Sequence, residues 1–278
     1  MKNKYLVFVE EENARSLEQF APDIERVSHA MLRTRLDLTD EEFKALRATF
    51  ASLQRDKRSC GIIPVNSLPV KALFFDMDST AIEQETINEL AVLAGKSAEI
   101  SRITEEAMKG NLSFPEALRA RLSMLTGLES SSLQTVAAKV TISKGMETLC
   151  TAAHRNGAKV FLISGGFNEI AQRIAKELAM DGFRAHQLEF KDEKLSGNLA
   201  SPLIDSAAKA SYLLETCKRL GISRAHAVGV GDGANDIAML DAAGIALGFT
   251  PKETLIPHID FANYRGDHSL FCDILSFK

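Results

Sequence analysis

The sequence predicts an α/β protein built on a doubly wound, mostly parallel sheet. From residue 72 onward, short apolar runs typical of strands buried on both faces alternate with helical patterns. Three of these runs, at residues 72–75, 159–163 and 226–230, end in polar turns that contain paired acids or glycines. Ligands of open α/β sheets bind beyond the carboxyl ends of the strands. We therefore expect a functional site where these three turns meet.

Composition narrows the classes of function. The chain has 278 residues, of which 45% are apolar and 25% charged, as in an ordinary globular protein of one or two domains. A net charge of −4 gives no electrostatic basis for binding nucleic acid or an anionic membrane. The four cysteines form no C-x-x-C pair, which argues against zinc and against a disulfide framework. No apolar run suits a membrane span or a signal peptide, so we expect a cytoplasmic protein.

Residues 1–66 are expected to form a small N-terminal α+β domain. The pattern predicts one strand and two helices, at residues 5–9, 14–31 and 39–53. Thr39 and Glu42 match a capping box, and the basic clusters near Arg33 and Arg55 fit solvated helix faces. Because the segment holds no catalytic constellation, we expect it to serve dimerisation or regulation, and a homodimer is one assembly that this allows.

Residues 67–278 are expected to form the core, with a helical cap over about residues 82–142 inserted after the first core strand. Ile87, Leu90 and Ala94 recur at the spacing of one helix face. Three further helical patterns follow, at residues 100–107, 118–125 and 133–140. Four short helices at this point of the chain would cover the carboxyl end of the first core strand.

Asp76 and Asp78 follow the first core strand and are separated by a single residue. Two neighbouring carboxylates repel each other unless a cation lies between them or one takes a proton. Mg²⁺ is a natural partner, since it binds through one or two carboxylates and keeps other positions for water and phosphate. A carboxylate can also attack phosphorus. The alternative is a turn that merely caps the strand, and the triplet alone would favour it.

The other two turns and one lysine point to the same chemistry. Ser164 and Gly165 lie between a strand and a helix, where backbone N–H groups can face an anion, although an ordinary tight connection would look alike. The run Gly231–Asp236 again places acids and an amide, including Asp232 and Asn235, after a strand. Lys209 opposes the dipole at the start of a helix, which is a weak signal. Together these features favour a site over unrelated turns.

Arg121 departs from the pattern of the cap. It lies on the apolar stripe marked by Leu118 and Leu125. A guanidinium that points inward needs an anion, and its planar fork suits a carboxylate. Alternatively, the stem of Arg121 packs while its head reaches water at the edge of the helix. Spacing alone leaves both possibilities open.

Residues 71–275 resemble the phosphatases of the haloacid dehalogenase superfamily, and within them the phosphoserine phosphatase family. The resemblance is carried, in family order, by Phe75-Asp-Met-Asp-Ser-Thr80, Glu85-Thr-Ile-Asn-Glu-Leu90, Glu106-Ala-Met-Lys-Gly110, Leu118-Arg-Ala-Arg121, Ile163-Ser-Gly-Gly-Phe167, Lys209 and Val230-Gly-Asp-Gly-Ala-Asn-Asp236. It implies a Rossmann-like core and the Mg²⁺-dependent hydrolysis of O-phospho-L-serine, a small-molecule substrate, as the last step of serine biosynthesis.

The resemblance also implies roles for individual residues. Asp76 would accept the phosphoryl group, and Asp78 would act as general acid and then as base. The implied Mg²⁺ ligands are Asp76, the backbone carbonyl of Asp78, and Asp232, with Asp236 in support. The implied substrate contacts are Ser164, Gly165, Lys209 and Asn235 for the phosphate, Glu85 for the ammonium, Arg121 for the carboxylate, and Met108 and Phe114 for closure of the cap.

Two alternatives to this function stay open at the level of sequence. One is a related phosphatase or phosphotransferase for another small phosphorylated amino acid. The other is a receiver-type signalling module that stores a phosphoryl group on an aspartate, although Asp78 and the cap have no use in such a switch. Relatives often carry an amino-acid-binding βαββαβ module before the core, but residues 1–66 predict one clear strand. We therefore do not expect ligand sensing by this segment.

Overall fold

The computed structural model describes residues 2–13, 24–28 and 31–278. The strands are β1 (Asn3–Glu10), β2 (Glu25–Arg26), β3 (Met31–Leu38), β4 (Cys60–Pro64), β5 (Ala72–Phe75), β6 (Lys159–Phe167), β7 (Gly182–His186), β8 (Leu188–Lys191), β9 (Lys194–Leu199), β10 (Ala227–Gly231), β11 (Ile245–Phe249) and β12 (Phe261–Asn263). The helices are α1 (Asp40–Arg55), α2 (Thr86–Leu93), α3 (Ser97–Met108), α4 (Phe114–Ser123), α5 (Ser131–Lys139), α6 (Met146–Arg155), α7 (Asn168–Glu177), α8 (Ser206–Leu220), α9 (Ile237–Ala242) and α10 (Leu270–Ile274). Within these described residues, no helix has both the length and the apolar character of a membrane span.

The core sheet confirms the predicted α/β class. Six parallel strands lie in the order β7-β6-β5-β10-β11-β12. In chain order this is the 3-2-1-4-5-6 arrangement of doubly wound sheets, whose ligands bind where the strand order reverses. That reversal falls between β5 and β10. The turns after these two strands therefore meet at the switch point of the sheet.

Strand β5 forms because its side chains have apolar surroundings on both faces. Leu73 and Phe75 belong to one buried cluster, while Phe74 lies in a second cluster and stacks on Phe161 with a centroid separation of 5.1 Å. All four residues of the strand are buried. A continuous apolar run is the pattern expected for a strand covered by helices on both sides. The core thus fixes the backbone immediately before Asp76.

The N-terminal strands correct the sequence analysis. The order β2-β3-β1-β4 is antiparallel throughout, which is the strand order of a ferredoxin-like βαββαβ unit. The prediction of one clear strand was therefore wrong. The predicted helix at residues 14–31 was also wrong at residues 24–28 and 31, where the chain forms β2 and begins β3. Residues 14–23 and 29–30 of that predicted helix lie outside the described residues. The cluster at Arg33 and Arg35 lies on β3, because this segment pairs with β1 along its whole length.

One sheet joins the N-terminal segment to the core. Strand β4 pairs antiparallel with β12, and a Cβ at Gly61 would overlap the carbonyl oxygen of Asp260. Phe8 meets Phe261 edge-on, with ring centroids 6.2 Å apart. Arg47 of α1 donates to Asp260 at 3.2 Å and to the carbonyl oxygen of Ile259 at 3.0 Å. The domain boundary at residue 66 stays a prediction, and the two parts share a buried core.

Helices α2 to α5 lie between β5 and β6 in the chain, in the region of the predicted cap. The chain enters this region at residues 81–83 and leaves it at residues 141–143, and these two segments are the crossings between the core and the cap. An antiparallel bridge between Ile82 and Ile142 joins them. The Glu83 amide donates to the carbonyl oxygen of Thr141 at 3.0 Å, and the Ser143 amide donates to that of Ala81 at 3.0 Å. These paired crossings connect the cap to the sheet.

Candidate active site

Asp76 lies at the centre of the switch point. It directly follows β5 and is 3% exposed. Its Oδ1 is 2.7 Å from Lys209 Nζ, and its Oδ2 accepts a hydrogen bond of 3.1 Å from Asn235 Nδ2. The amide of Met77 also donates to Oδ1 at 2.8 Å. Three different segments therefore orient one buried carboxylate.

Lys209 is the buried cation of the site. It lies on α8, is 1% exposed, and its Nζ is 2.7 Å from both Asp76 Oδ1 and Asp236 Oδ1. Desolvation lowers the pKa of Lys209, but the two carboxylates outweigh it, so the net shift is upward. Its misplacement near the start of α8 was a weak signal in the sequence. The two buried ion pairs explain why a cation is tolerated there.

Asp76, Asp232 and Asp236 form an acidic cluster that suits a divalent cation. All three are buried, and each offers an oxygen within 4.8 Å of the others. Oxygen donors of this kind suit hard cations such as Mg²⁺. Asp236 Oδ2 accepts hydrogen bonds from the amides of Asp232 at 3.1 Å and Gly233 at 3.3 Å, while its Oδ1 meets Lys209. Asp236 thus organises the loop that presents Asp232.

Burial raises the pKa values of two acids in this cluster. Desolvation raises the pKa of Asp232, an effect that Lys252 opposes and Asp76 reinforces. Desolvation likewise raises the pKa of Asp236, with Asp76 adding to the shift and Lys209 opposing it. Three close carboxylates with one buried lysine leave an excess of negative charge, which a divalent cation would offset. The chemistry of the donors therefore fits a metal ion.

Asp78 occupies a different environment from Asp76. It lies on the turn Met77–Ala81, where Ser79 has a φ of 54°. Its Oδ1 accepts a hydrogen bond of 2.9 Å from the Thr86 amide. Burial, followed by the charges of Glu85 and Asp76, raises the pKa of Asp78 to about 7. A carboxyl with a raised pKa next to a second acid that pairs with a lysine is the arrangement expected for a general acid beside a nucleophile.

The Ser164 turn faces these acids from β6. Ser164 is buried, and its Oγ accepts a hydrogen bond of 2.7 Å from the Gly166 amide. A Cβ at Gly166 would come within 2.8 Å of Asp78 Oδ2, so glycine leaves room for that carboxylate. The predicted strand ended at residue 163, whereas β6 continues to Phe167 and α7 begins only at Asn168. Ser164 and Gly165 therefore lie on the end of a strand rather than in a loop.

Four predicted site residues belong to the cap region. Glu85 is exposed and its Oε1 accepts a hydrogen bond of 2.8 Å from Ser79 Oγ. Phe114 approaches the core, since its Cζ would be 3.7 Å from a Cβ at Gly165. The side chain of Met108 lies outside the described part of the structure. The fourth, Arg121, is treated separately because its surroundings bear on the choice between its two possible orientations.

Arg121 lies half-buried on α4. Its Nε donates to the carbonyl oxygen of Ala117 at 3.3 Å. Burial lowers the pKa of Arg121, while the charges of Glu85 and Asp78 raise it, so the guanidinium lies within their electrostatic reach. In the described part of the chain, no acidic side chain forms an ion pair with it. These observations favour the inward orientation.

A family model described as haloacid dehalogenase-like hydrolase matches residues 70–244, which span the core strands β5 and β10 and the cap. The chain belongs to this family. The resemblance inferred from the sequence motifs is thereby confirmed.

Curated and solved relatives extend this result. A phosphoserine phosphatase of Archaeoglobus fulgidus is 38% identical over 185 residues, which cover 66% of this chain and 54% of that protein. The chain thus spans about half the length of that relative. A haloacid dehalogenase family hydrolase of Salmonella enterica serovar Typhi has a TM-score of 0.83 and 28% identity over 98% of both chains. A substrate-bound phosphoserine phosphatase has a TM-score of 0.69 and 34% identity, covering 75% of this chain and 99% of its own.

Two residues that contact the turns of the site escaped the sequence analysis. Lys252, which follows β11, places its Nζ 2.7 Å from Asp232 Oδ2. His186, the last residue of β7, accepts the Ile204 amide on Nε2 at 2.7 Å, so its Nδ1 carries the proton donated to the carbonyl oxygen of Gly165 at 2.9 Å. Burial lowers the pKa of His186, which keeps this bridge neutral. Neither position has a spacing or a flanking motif that would have revealed it.

Proposed function

We propose that this chain is a Mg²⁺-dependent phosphoserine phosphatase that hydrolyses O-phospho-L-serine to L-serine and phosphate. The observation that carries the choice of substrate is Arg121, a half-buried cation that forms no ion pair in the described residues and lies within the electrostatic reach of Glu85 and Asp78. An amino acid brings a carboxylate for Arg121 and an ammonium for Glu85. The names of the relatives support the same choice.

The reaction begins with Asp76 as nucleophile. Its carboxylate attacks phosphorus, the bond from phosphorus to the serine oxygen breaks, and an aspartyl-phosphate forms. Lys209, at 2.7 Å, pairs with Asp76 and orients it, and Asn235 fixes its second oxygen. The phosphate oxygens would meet Ser164, the Gly165 amide, Lys209 and Asn235. Electrostatic support of this kind is the main contribution that proteins make to phosphoryl transfer.

Asp78 handles the proton in both steps. Because the pKa of Asp78 is raised to about 7, Asp78 carries this proton in a large share of the molecules at neutral pH. The acid protonates the departing serine oxygen, and the resulting carboxylate then takes a proton from the water that hydrolyses the aspartyl-phosphate. The cap, including Phe114 and Met108, would exclude bulk water during the first step.

Asp76, the backbone carbonyl of Asp78, and Asp232 would hold Mg²⁺, with Asp236 behind them. When bound, the ion supplies positive charge that offsets the charge of the phosphate. The support for this assignment is the buried set of oxygen donors within 4.8 Å of one another.

Replacing Lys252 with methionine is expected to tighten Mg²⁺ binding. The ammonium lies 2.7 Å from Asp232 Oδ2 and competes with the ion for that oxygen, but its side chain is 59% exposed. Because the lysine is exposed to solvent, we expect the pair to contribute about 0.2–1 kcal/mol, which corresponds to a gain of up to roughly fivefold in affinity. Calorimetric titration with Mg²⁺ measures the change. Lys159→Met, at an exposed lysine that pairs with Asp181, is the matched control, and an unchanged or weaker affinity in Lys252→Met would contradict the competition.

Phosphate release from a panel of esters tests the proposed function. Phosphoserine is expected to have the highest kcat/KM, because phosphoethanolamine lacks the carboxylate and 3-phosphoglycerate lacks the ammonium. Chelation of Mg²⁺ should stop turnover and its return should restore it. Equal rates on all three esters would overturn the substrate assignment. A stable phosphoprotein without phosphate release would indicate the receiver-type module instead.

A further inference from the structure

His268 connects the C-terminal segment to both crossings between the core and the cap. Its Nε2 donates to the carbonyl oxygen of Thr80 at 2.9 Å, and its backbone amide donates to that of Lys144 at 2.8 Å. Thr80 belongs to the turn Met77–Ala81, which carries Asp78. Lys144 directly follows the second crossing. One residue, distant in sequence from both, thus holds the base of the cap and the turn of the active site.

The ring of His268 lies inside an aromatic cluster. It stacks on Phe249 with a centroid separation of 3.7 Å and an angle of 10°, and it meets Phe75 edge-on at 5.8 Å. Phe75 directly precedes Asp76. Burial lowers the pKa of His268 to about 4, so the imidazole stays neutral and its single proton is the one donated to Thr80.

A phenylalanine would suit this cluster better if packing were its whole purpose. His268 Nδ1 is buried and has no hydrogen-bond partner among the described residues, which costs desolvation free energy. A buried polar atom without a partner calls for an explanation. The hydrogen bond to Thr80 is the one side-chain interaction that an imidazole provides here and a phenyl ring cannot.

The neighbours of His268 reinforce the contact with the second crossing. Asp267 Oδ2 is 3.0 Å from Lys144 Nζ, and its Oδ1 accepts a hydrogen bond of 2.9 Å from the Ser269 amide. Gly145 has a φ of 81°, and a Cβ there would overlap Asp267 Oδ1. The turn formed by residues 267–269 therefore packs closely against Lys144 and Gly145, where the chain leaves the cap.

We propose that His268 is a positioning residue. Through the carbonyl of Thr80 it holds the turn Met77–Ala81 so that Asp78 reaches the leaving oxygen, and through Lys144 it anchors the crossings that support the cap. The part that concerns Asp78 rests on the proposed function, whereas the anchoring of the crossings does not. Because a displacement of about 1 Å can cost roughly a hundredfold in rate, a single hydrogen bond at this place is sufficient to affect catalysis.

Three substitutions at position 268 separate positioning from packing. The amide nitrogen of glutamine in His268→Gln reaches about as far as Nε2 and can donate to Thr80. The shorter side chain of His268→Asn cannot reach that far, and His268→Phe keeps the ring but has no donor. Ile274→Ala, a change to a buried residue of α10, is the control for loss of packing near the C-terminus.

The kinetic readout compares two leaving groups. Phosphoserine needs a protonated leaving oxygen, whereas p-nitrophenyl phosphate releases a stable phenolate without an acid. We expect the first-turnover release of serine from phosphoserine to fall roughly ten- to hundredfold in His268→Asn and His268→Phe, with little change in KM. The first-turnover release of p-nitrophenolate, which precedes the step in which Asp78 acts as base, should fall less than about threefold, and His268→Gln should recover most of the loss with phosphoserine. Equal losses of rate on both esters would overturn the positioning of Asp78. So would a change in the ratio of the two rates in Ile274→Ala that equals the change in His268→Asn.

Hydrogen exchange tests the anchor without any substrate. The amides of Glu83 and Ser143, which join the two crossings, are expected to exchange at least about tenfold faster in His268→Asn than in the parent, with His268→Gln close to the parent. Unchanged exchange in His268→Asn would overturn the anchoring role. If the parent hydrolyses p-nitrophenyl phosphate but not phosphoserine, the proposed substrate fails, and the exchange data still decide the role of His268.

Discussion

Replacing Asp76 with asparagine is expected to abolish phosphate release, with a loss in kcat of at least about a thousandfold. The amide is nearly isosteric with the carboxylate, but its oxygen is a poor nucleophile. Lys209 keeps a second carboxylate at 2.7 Å in Asp236, so the buried cation retains a partner and the fold should persist. Steady-state phosphate release and thermal unfolding measure the two effects.

Asp260→Asn is the matched control for this substitution. Asp260 is a partly buried carboxylate that pairs with Arg47 at the N-terminal junction, away from the switch point. The change should lower stability without lowering kcat by more than about twofold, since no proposed catalytic group touches it. Turnover of Asp76→Asn within tenfold of the parent would contradict the assignment of Asp76 as nucleophile.

Replacing Arg121 with alanine is expected to lower kcat/KM for phosphoserine. The expected loss of transition-state stabilisation is roughly 2–5 kcal/mol, the range for removing one partner of a buried charge pair. Arg121→Lys should recover only part of this, because an ammonium cannot reproduce the bidentate fork of the guanidinium. Phosphoethanolamine lacks the carboxylate and should lose little further on mutation. The measurement is kcat/KM for both esters with all three proteins.

Arg119→Ala provides the control on the same helix. Arg119 is exposed, whereas Arg121 is half-buried. The control should retain the specificity of the parent for phosphoserine over phosphoethanolamine. Equal losses on both esters in Arg121→Ala would mean that this residue serves the phosphate or the fold, and the amino-acid specificity proposed here would fall with it.

The core and its site could be predicted because their signals are local. Parallel strands buried on both faces are continuous apolar runs, and the carboxyl ends of such strands share one edge of the sheet. The turns after β5 and β10 could therefore be placed together from the sequence alone. Lys209 was predicted to lie at the start of a helix, and α8 is found at Ser206–Leu220, because its apolar spacing and the following Gly221 mark both its face and its end.

Strand β1 was predicted, whereas the other N-terminal strands were missed because their structure depends on pairing. Segment Met31–Leu38 contains three charged residues and has no run of apolar side chains, yet it forms β3 by pairing with β1 over eight positions. The short strands β7 and β12 have too few residues for a periodic pattern. Tertiary pairing outweighs local preference in such segments.

His186, Lys252 and His268 were missed for a related reason. His186 and His268 each act on a backbone carbonyl, a group that every residue carries, so the sequence around the acceptor holds no trace of the contact. His268 and Thr80 are also separated by 188 residues. Lys252 meets Asp232 because β11 lies beside β10 in the sheet, which only the topology reveals.

Chemical trapping of the phosphorylated residue tests whether Asp76 is the nucleophile. The protein is mixed with phosphoserine and Mg²⁺, quenched in acid within the first turnover, and reduced with tritiated borohydride, which releases the phosphate and converts an aspartyl-phosphate to labelled homoserine. Labelled homoserine is expected at position 76 in the parent protein and not at that position in Asp76→Asn. Label at another residue, or phosphate release from phosphoserine with no modified aspartate, would contradict it.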